Sequence, residues 1–520
     1  MIYDSIALKG KFDGVNYVNF HNDTIGAIDG GYGIDGNDFM DRIGSGSLSF
    51  KLNNSITNSS GLAGYYCPGN ANCRTGFAIG LDIQLVITLD GCEEIKFQGK
   101  ITKGGIIVNV DNPANSFTTV NANIWIEQAA NHELVLPEIT SDVDISDVSA
   151  IILSNMDTQP PAVVYNTGAN IFSTAFDLVK TTTTALVEFM KLVISEIGYI
   201  YQNRRGLIIE GQYTRDDTKT TVSNIPDNTG DELLLETGDN LLLETGDKFL
   251  LNTIQSATYT DEQMSGLLPT GKNIYNRLKF TYYPREITDD VILFSIGERI
   301  FVAVGESKVI YGNFSIPGSE YKTLTAENVV TTFALGYGNL ASVVLVEEIG
   351  ASSIKYTITN NWTQTIRVDT LYATGNAIET NIPDDVIVSD STSLASIGVS
   401  QLNANMSYHN SREKIDQEKQ YYLDLLKNED ESVDEIFFIA NKSYKNLASF
   451  LYLEPGDRIH LELDMPGINE DFFIQYVSFS IVSNSEVYFS WVLKKASLDT
   501  FTNFCKYNIN IFDDGSVFGF

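Results

Sequence analysis

Only four histidines serve this 520-residue chain, His21, His132, His409 and His460, and they bound its acid–base and metal chemistry. No two are close in sequence and none lies in a His-Glu-x-x-His helix, so the ligand pair of a zinc protease is missing. Neither a Gly-x-Ser-x-Gly elbow nor a Gly-x-x-x-x-Gly-Lys-Ser/Thr phosphate loop occurs. His460 follows a Pro-Gly-Asp turn on a strand pattern and reads as a surface or satisfied interior residue. Carboxylates are the one catalytic resource in surplus, with 67 Asp and Glu. Two facing acids suffice for glycoside hydrolysis, but so many candidates single out no pair. Gly30-Gly-Tyr-Gly-Ile-Asp-Gly36 reads as ordered turns rather than a phosphate cradle, because no strand-to-helix junction accompanies it. No catalytic, cofactor-binding or metal-ligating residue is expected, and no cofactor; the chain reads as a non-enzyme.

Four cysteines in so long a chain do not make a disulfide framework. Cys67 and Cys73, in a turn-rich loop, could close a small bridge, but no second pair completes a zinc site. Cys92 and Cys505 read as ordinary semi-buried thiols. With 34 basic residues the net charge is −33, which disfavours nucleic acid and anionic membranes as binding partners. A negative wall would instead let DNA slide past without sticking. Met1-Ile-Tyr-Asp-Ser shows no basic region leading into an apolar core, so no secretory signal is expected, and no apolar run approaches the ~20 residues of a membrane span.

The elements that would position any site are mostly strands. Glycine (40 residues) and aromatics (11%) are plentiful, which favours strands and tight turns. Residues 1–135 read as a β domain whose closely spaced strands suggest a barrel or a sandwich. Leu48, Phe50 and Leu52 share one strand face, and Asp90-Gly91 turns a hairpin between alternating runs. Residues 136–271 read as an α+β unit. A helix near 185–197, capped by Thr184 and ended by Gly198, precedes a hairpin turning at Asn203 to Gly206. The unit also holds a repeat of period eight, Leu-Leu-Leu-Glu-Thr-Gly-Asp, from Gly238 to Gly246. It reads as a meander; Asp239 and Asp247 lack the spacing of calcium repeats.

Residues 272–400 read as an inserted β-sandwich, with strands about every ten residues and clean alternation at Ser353-Ile-Lys-Tyr-Thr-Ile-Thr359. Residues 401–520 open with a helix over about 411–427. Leu453-Glu-Pro-Gly-Asp-Arg458 then turns into alternating strands of a second barrel.

The order of these segments resembles bacteriophage tail hub and minor tail proteins. The likeness is carried by Asp41-Arg-Ile-Gly-Ser-Gly-Ser-Leu-Ser-Phe-Lys-Leu-Asn-Asn-Ser55, Phe97-Gln-Gly-Lys-Ile101, Gly198-Tyr-Ile-Tyr-Gln-Asn-Arg-Arg-Gly-Leu207, Tyr282-Tyr-Pro-Arg285, Val304-Gly-Glu-Ser-Lys308 and Leu453-Glu-Pro-Gly-Asp-Arg458. The resemblance implies a mainly β, multi-domain chain with two hub-type barrels, located at the distal end of the virion tail. It implies homotrimer assembly into a ring that contacts the distal tail or tube protein and a tip or fibre protein, with DNA passing unbound. One alternative is a glycan-binding or adhesive tail-tip protein using the sandwich, which exposed aromatics such as Trp362 would favour over burial of that side chain. A polysaccharide-degrading tail enzyme is the other.

Overall fold

A computed structural model describes residues 3–34, 42–109, 116–135, 140, 142–166, 168, 170–176, 178, 182–204, 206–211, 221–227, 253–269, 274–314, 324–350, 353–380, 382–427, 433–464 and 467–496. The Gly238–Gly246 repeat and Cys505 lie outside the described residues.

Alternation builds the first sheet. Within Ser45–Asn53, the side chains of Leu48, Phe50 and Leu52 point inward and are buried, while polar neighbours face out. Ser5–Gly10, Asp82–Leu89, Cys92–Val108, Phe117–Asn123, Ser45–Asn53 and Thr24–Gly33 lie side by side in that order, all antiparallel. The expected hairpin is present: Leu89 faces Cys92, and Asp90 (φ 52°) and Gly91 (φ 76°) both take the left-handed conformation of a type I′ turn.

The C-terminal strands form a matching set around Ile468–Ser483. Its neighbours are Arg458–Leu463, which pairs in turn with Thr258–Thr260, and Glu486–Lys495, followed by Val433–Ile439 and Met264–Pro269. In Glu454-Pro-Gly-Asp457 the Asp457 N–H donates to the Glu454 carbonyl and Gly456 has φ 89°, as a type II turn requires.

The fold is mainly β and multi-sheet, as expected, but among the described residues neither half closes into a barrel. The halves are one continuous sheet of thirteen strands among the described residues, because Ile468–Ser483 pairs antiparallel with Thr24–Gly33 from Tyr476–Gly33 to Ile481–Ile28. One hydrophobic core runs through both.

Among the described residues six helices decorate the sheets: α1 (Ile126–Asn131), α2 (Ile145–Ser154), α3 (Ala185–Glu196), α4 (Ser391–Ile397), α5 (Arg412–Leu426) and α6 (Tyr444–Tyr452). Thr184 caps α3 by accepting from the Val187 N–H. The helix ends one residue before the expected glycine: Ile197 (φ 56°) is the left-handed residue. Gly198 serves a different purpose, since a Cβ there would sit 2.3 Å from the Glu210 carbonyl oxygen. Beyond it, Tyr199–Asn203 pairs with Gly206–Glu210, which pairs in parallel with Val163–Tyr165.

Two further bodies complete the chain. Arg277–Tyr282 lies between Asp384–Ser389 and Gln401–Met406, under α5, with a core of its own that reaches Ile197. The sandwich occupies the segment between, within 285–380. One sheet has Ile366–Thr380 at its centre, flanked by Arg285–Ser295 and Ile300–Val302 on one edge and Leu324–Tyr337 on the other. The second has Ser353–Asn360 between Ser307–Asn313 and Val343–Ile349. The strands 277–282 and 384–389, expected within the sandwich, belong to the neighbouring sheet because their inward residues Leu278, Phe280 and Val386 pack with Tyr422 and Leu423 of α5. No described helix is long and apolar enough to cross a membrane.

Candidate functional site

The junction between the two half-sheets is the most heavily built feature of the molecule. Glycines permit it. A Cβ at Gly30 would lie 2.7 Å from a Phe479 ring carbon, and one at Gly33 (φ 125°) would lie 2.3 Å from the Gln475 carbonyl oxygen. The Gly30-Gly-Tyr-Gly33 segment is therefore strand, not turns, and its glycines admit a second strand.

Beneath this seam four segments meet in a buried polar cluster. Glu454, from the Pro-Gly turn, accepts from the Lys96 ammonium at 3.1 Å and from the Tyr32 hydroxyl at 2.9 Å on the same oxygen, Oε1. Its other oxygen has no hydrogen-bond partner among the described residues. The side chains of Lys96 and Glu454 are 0% and 2% exposed. Lys96 also lies 4.9 Å from the centre of the Phe450 ring. A β-bulge puts it there: Leu85 faces Phe97 and Val86 faces Ile95, so Lys96 is the extra residue and turns inward.

Arg204, in the two-residue turn of the 199–210 hairpin, reaches the cluster from the side. It donates to the Leu451 and Tyr452 carbonyls at the C-terminus of α6, pairs with Glu94 at 3.0 Å and approaches Glu454 to 3.8 Å. Burial holds the Lys96 ammonium below its usual pKa, against the opposing pull of the Glu454 carboxylate. Burial, then the Glu454 charge, pushes the Tyr32 hydroxyl well up. Groups this deeply buried cannot meet a substrate. What they can do is fix two half-sheets, a hairpin and a helix end in one geometry.

The histidines are scattered. His132 faces the Asn155 carbonyl at 2.8 Å, and His460 faces Asp471 at 2.6 Å beside the Arg458–Asp471 pair. His409 is buried against the Ser195 carbonyl at 2.7 Å, and burial pulls its pKa down to about 4. Among the described residues no three His, Cys, Asp or Glu side chains come close enough to share a metal ion. Cys67 and Cys73 are both free thiols, and Cys92, expected to be semi-buried, is exposed at the tip of the Asp90-Gly91 hairpin. Trp362 is half-buried: it packs on the sandwich core and, on its outer side, against the exposed Tyr337 ring at 5.7 Å.

Sequence reasoning missed Lys96, Glu454, Tyr32 and Arg204 as a group. Glu454 and Arg204 were visible as turn residues; the inward turn of Lys96 depends on a register shift that only the partner strand reveals.

These features define a mainly β, multi-sheet protein whose terminal segments are fastened together. No family model and no curated protein sequence matches the chain. Among solved structures it aligns with the tail protein from Neisseria meningitidis MC58 at 10% identity and TM-score 0.44, covering 94% of this chain and 97% of that one. The prophage MuSo2 43 kDa tail protein from Shewanella oneidensis aligns at 10% identity and TM-score 0.43, over 94% and 98%. Prophage tail protein gp18 from Listeria monocytogenes EGD-e aligns at 8% identity and TM-score 0.38, over 97% and 99%. Likenesses at this level carry no statement about what the chain does.

Proposed function

We propose that the chain is a structural component of a bacteriophage tail, a hub that assembles as a homotrimeric ring, closes the tail tube at its distal end and joins it to the tip or receptor-binding apparatus. The observation that carries the reading is the fused sheet. Each chain presents two mostly antiparallel half-sheets, with one parallel pair at Thr258–Thr260 and Arg458–Leu463, joined at Thr24–Gly33 and Ile468–Ser483. Three such chains offer six related positions, which suits an adaptor between a sixfold tube and a threefold tip. Fastening the halves through a buried ion pair keeps their relative angle constant, as a ring needs. The net charge of −33 suits a passage through which DNA slides without binding. The distal tail or tube protein and a tip or fibre protein are the partners this arrangement calls for, and the sandwich is the part free to face outward. Mass photometry and negative-stain imaging of the full chain test the reading: a ring three times the monomer mass with a central channel is expected, and a stable monomer at micromolar concentration refutes it.

A further inference from the structure

The sandwich carries a row of exposed side chains that its own folding does not use. On the outer face of the larger sheet, Phe301 faces Arg367 and Arg367 faces Tyr337 across three neighbouring strands. Ile366 and Val368, on either side of Arg367, are buried in the core, so the row points to solvent. The rings of Phe301 and Tyr337 are 59% and 52% exposed. Large exposed aromatics set together on a soluble surface mark a contact site.

Polar groups of fixed geometry lie within the same row. The Arg367 guanidinium grips Asp369 with two parallel bonds, Nε to Oδ1 at 2.8 Å and Nη2 to Oδ2 at 2.9 Å. Arg299 approaches the same carboxylate at 3.5 Å. The Tyr337 hydroxyl donates to Oε1 of the exposed Gln364, and Trp362 packs against the Tyr337 ring. Gly336 keeps the row open, because any Cβ there would collide with the Asp369 carboxylate. The flat rings and forked donors and acceptors are thus held in place before any ligand arrives.

We propose that this row is a glycan-binding site, taking pyranose units of a surface polysaccharide. A pyranose has an apolar C–H face and a rim of hydroxyls. The C–H face fits on Tyr337 or Phe301, and neighbouring hydroxyls find both donors and acceptors in Arg367, Asp369 and Gln364. A second copy of the chain is a poorer occupant, since closing a protein surface over the row would bury the Arg367–Asp369 pair and desolvate it. The row also stands at the sandwich end opposite its attachment. Thirteen residues of extended strand separate Arg367 from Thr380, roughly 40 Å at the usual rise. The inference rests on the outward placing of the sandwich for its biological sense, but the binding itself is a property of the chain.

The test is titration of the full-length protein with three purified probes, maltoheptaose, chitohexaose and dextran, followed by calorimetry and intrinsic tryptophan fluorescence. Saturable binding of at least one probe is expected. Tyr337→Ala and Arg367→Ala should each weaken it about tenfold at unchanged melting temperature. Tyr311→Ala, on the other sheet and 75% exposed, should leave it unchanged. Absence of saturable binding of all three probes overturns the proposal, as does binding that Tyr311→Ala lowers as much as Tyr337→Ala. Concentration-dependent self-association abolished by Tyr337→Ala would overturn it in favour of a second copy. Ring assembly, measured separately, bears only on the hub reading.

Discussion

Breaking the Lys96–Glu454 pair from either side should destabilise the junction, more so, and with a pH dependence, when the lysine is the partner left behind. Glu454→Gln removes the carboxylate charge and leaves the buried Lys96 ammonium with neutral partners, the Gln amide oxygen, the Leu453 carbonyl at 3.5 Å and the Phe450 ring at 4.9 Å. The ammonium can escape that cost by losing its proton, which from a reference pKa near 10.4 takes about 5 kcal/mol at pH 7 and about 2 kcal/mol at pH 9. These figures cap the penalty, so the Gln variant should lose about 3–5 kcal/mol at neutral pH and recover much of it on the alkaline side. The sign agrees with linkage: the unfolded lysine binds more protons than the buried one, so stability rises with pH. Lys96→Met leaves the Glu454 carboxylate instead. The Tyr32 hydroxyl and Arg204 still support that charge, so the loss should be smaller, about 2–3 kcal/mol. A multi-domain chain has no single unfolding free energy, so the assay is native-state hydrogen exchange of the Ile468–Ser483 amides across pH 5–9. Losses below about 1 kcal/mol in both variants, or a Glu454→Gln loss that does not shrink toward pH 9, would refute the assignment of this pair as the fastening of the halves.

Other perturbations probe other parts of the argument. His409 has a folded pKa of about 4, below its unfolded value, so stability should be full above about pH 6.5 and fall by up to about 3 kcal/mol as pH drops toward 4. His409→Gln, which keeps a donor toward the Ser195 carbonyl, should flatten that limb of the melting curve against pH; an unchanged limb would assign it to other groups. Gly33→Ala should cost about 3 kcal/mol or more, because its Cβ would meet the Gln475 backbone at a positive φ. Gly26→Ala, at φ 72° with nothing within 4 Å, should cost only about 1 kcal/mol, and comparing denaturant midpoints of the two separates crowding from backbone strain.

Local chemistry made much of this fold legible. The buried triplet Leu48, Phe50 and Leu52, the Thr184 cap, the Asp90-Gly91 turn and the Pro455-Gly456 turn each depend on a few adjacent residues, and each is found where those residues require. Helix α6 was legible and overlooked: Ser443 caps it through the Asn446 N–H, and Leu447, Phe450 and Leu451 follow at helical spacing. Its nine residues lie between two strand patterns, and that shortness hid it. The seam between Thr24–Gly33 and Ile468–Ser483 is a different matter. No local signal pairs strands from opposite ends of a chain, and the glycines that permit the pairing look, one by one, like turn residues.

The way the sandwich is attached bears on both functional readings. It leaves the body after Tyr282 and returns at Asp384, and these residues face each other in paired strands, with the Tyr282 hydroxyl donating to Asp384 at 2.9 Å. Entry and exit thus share one narrow neck. Among the described residues the sandwich core and the main core share no side chain. A module held in this way can change its loops, its outer faces or its angle without disturbing the seam at Gly30–Gly33 or the Lys96–Glu454 pair. Rigid geometry is concentrated where a ring would need it, and surface freedom where a polysaccharide would be met. Deleting 285–380 with a short Gly-Ser linker across the neck should therefore leave hydrogen exchange at Ile468–Ser483 unchanged while abolishing glycan binding. If the deletion loosened the seam, the sandwich would be part of the body's stability and the division of labour argued from the neck would be wrong.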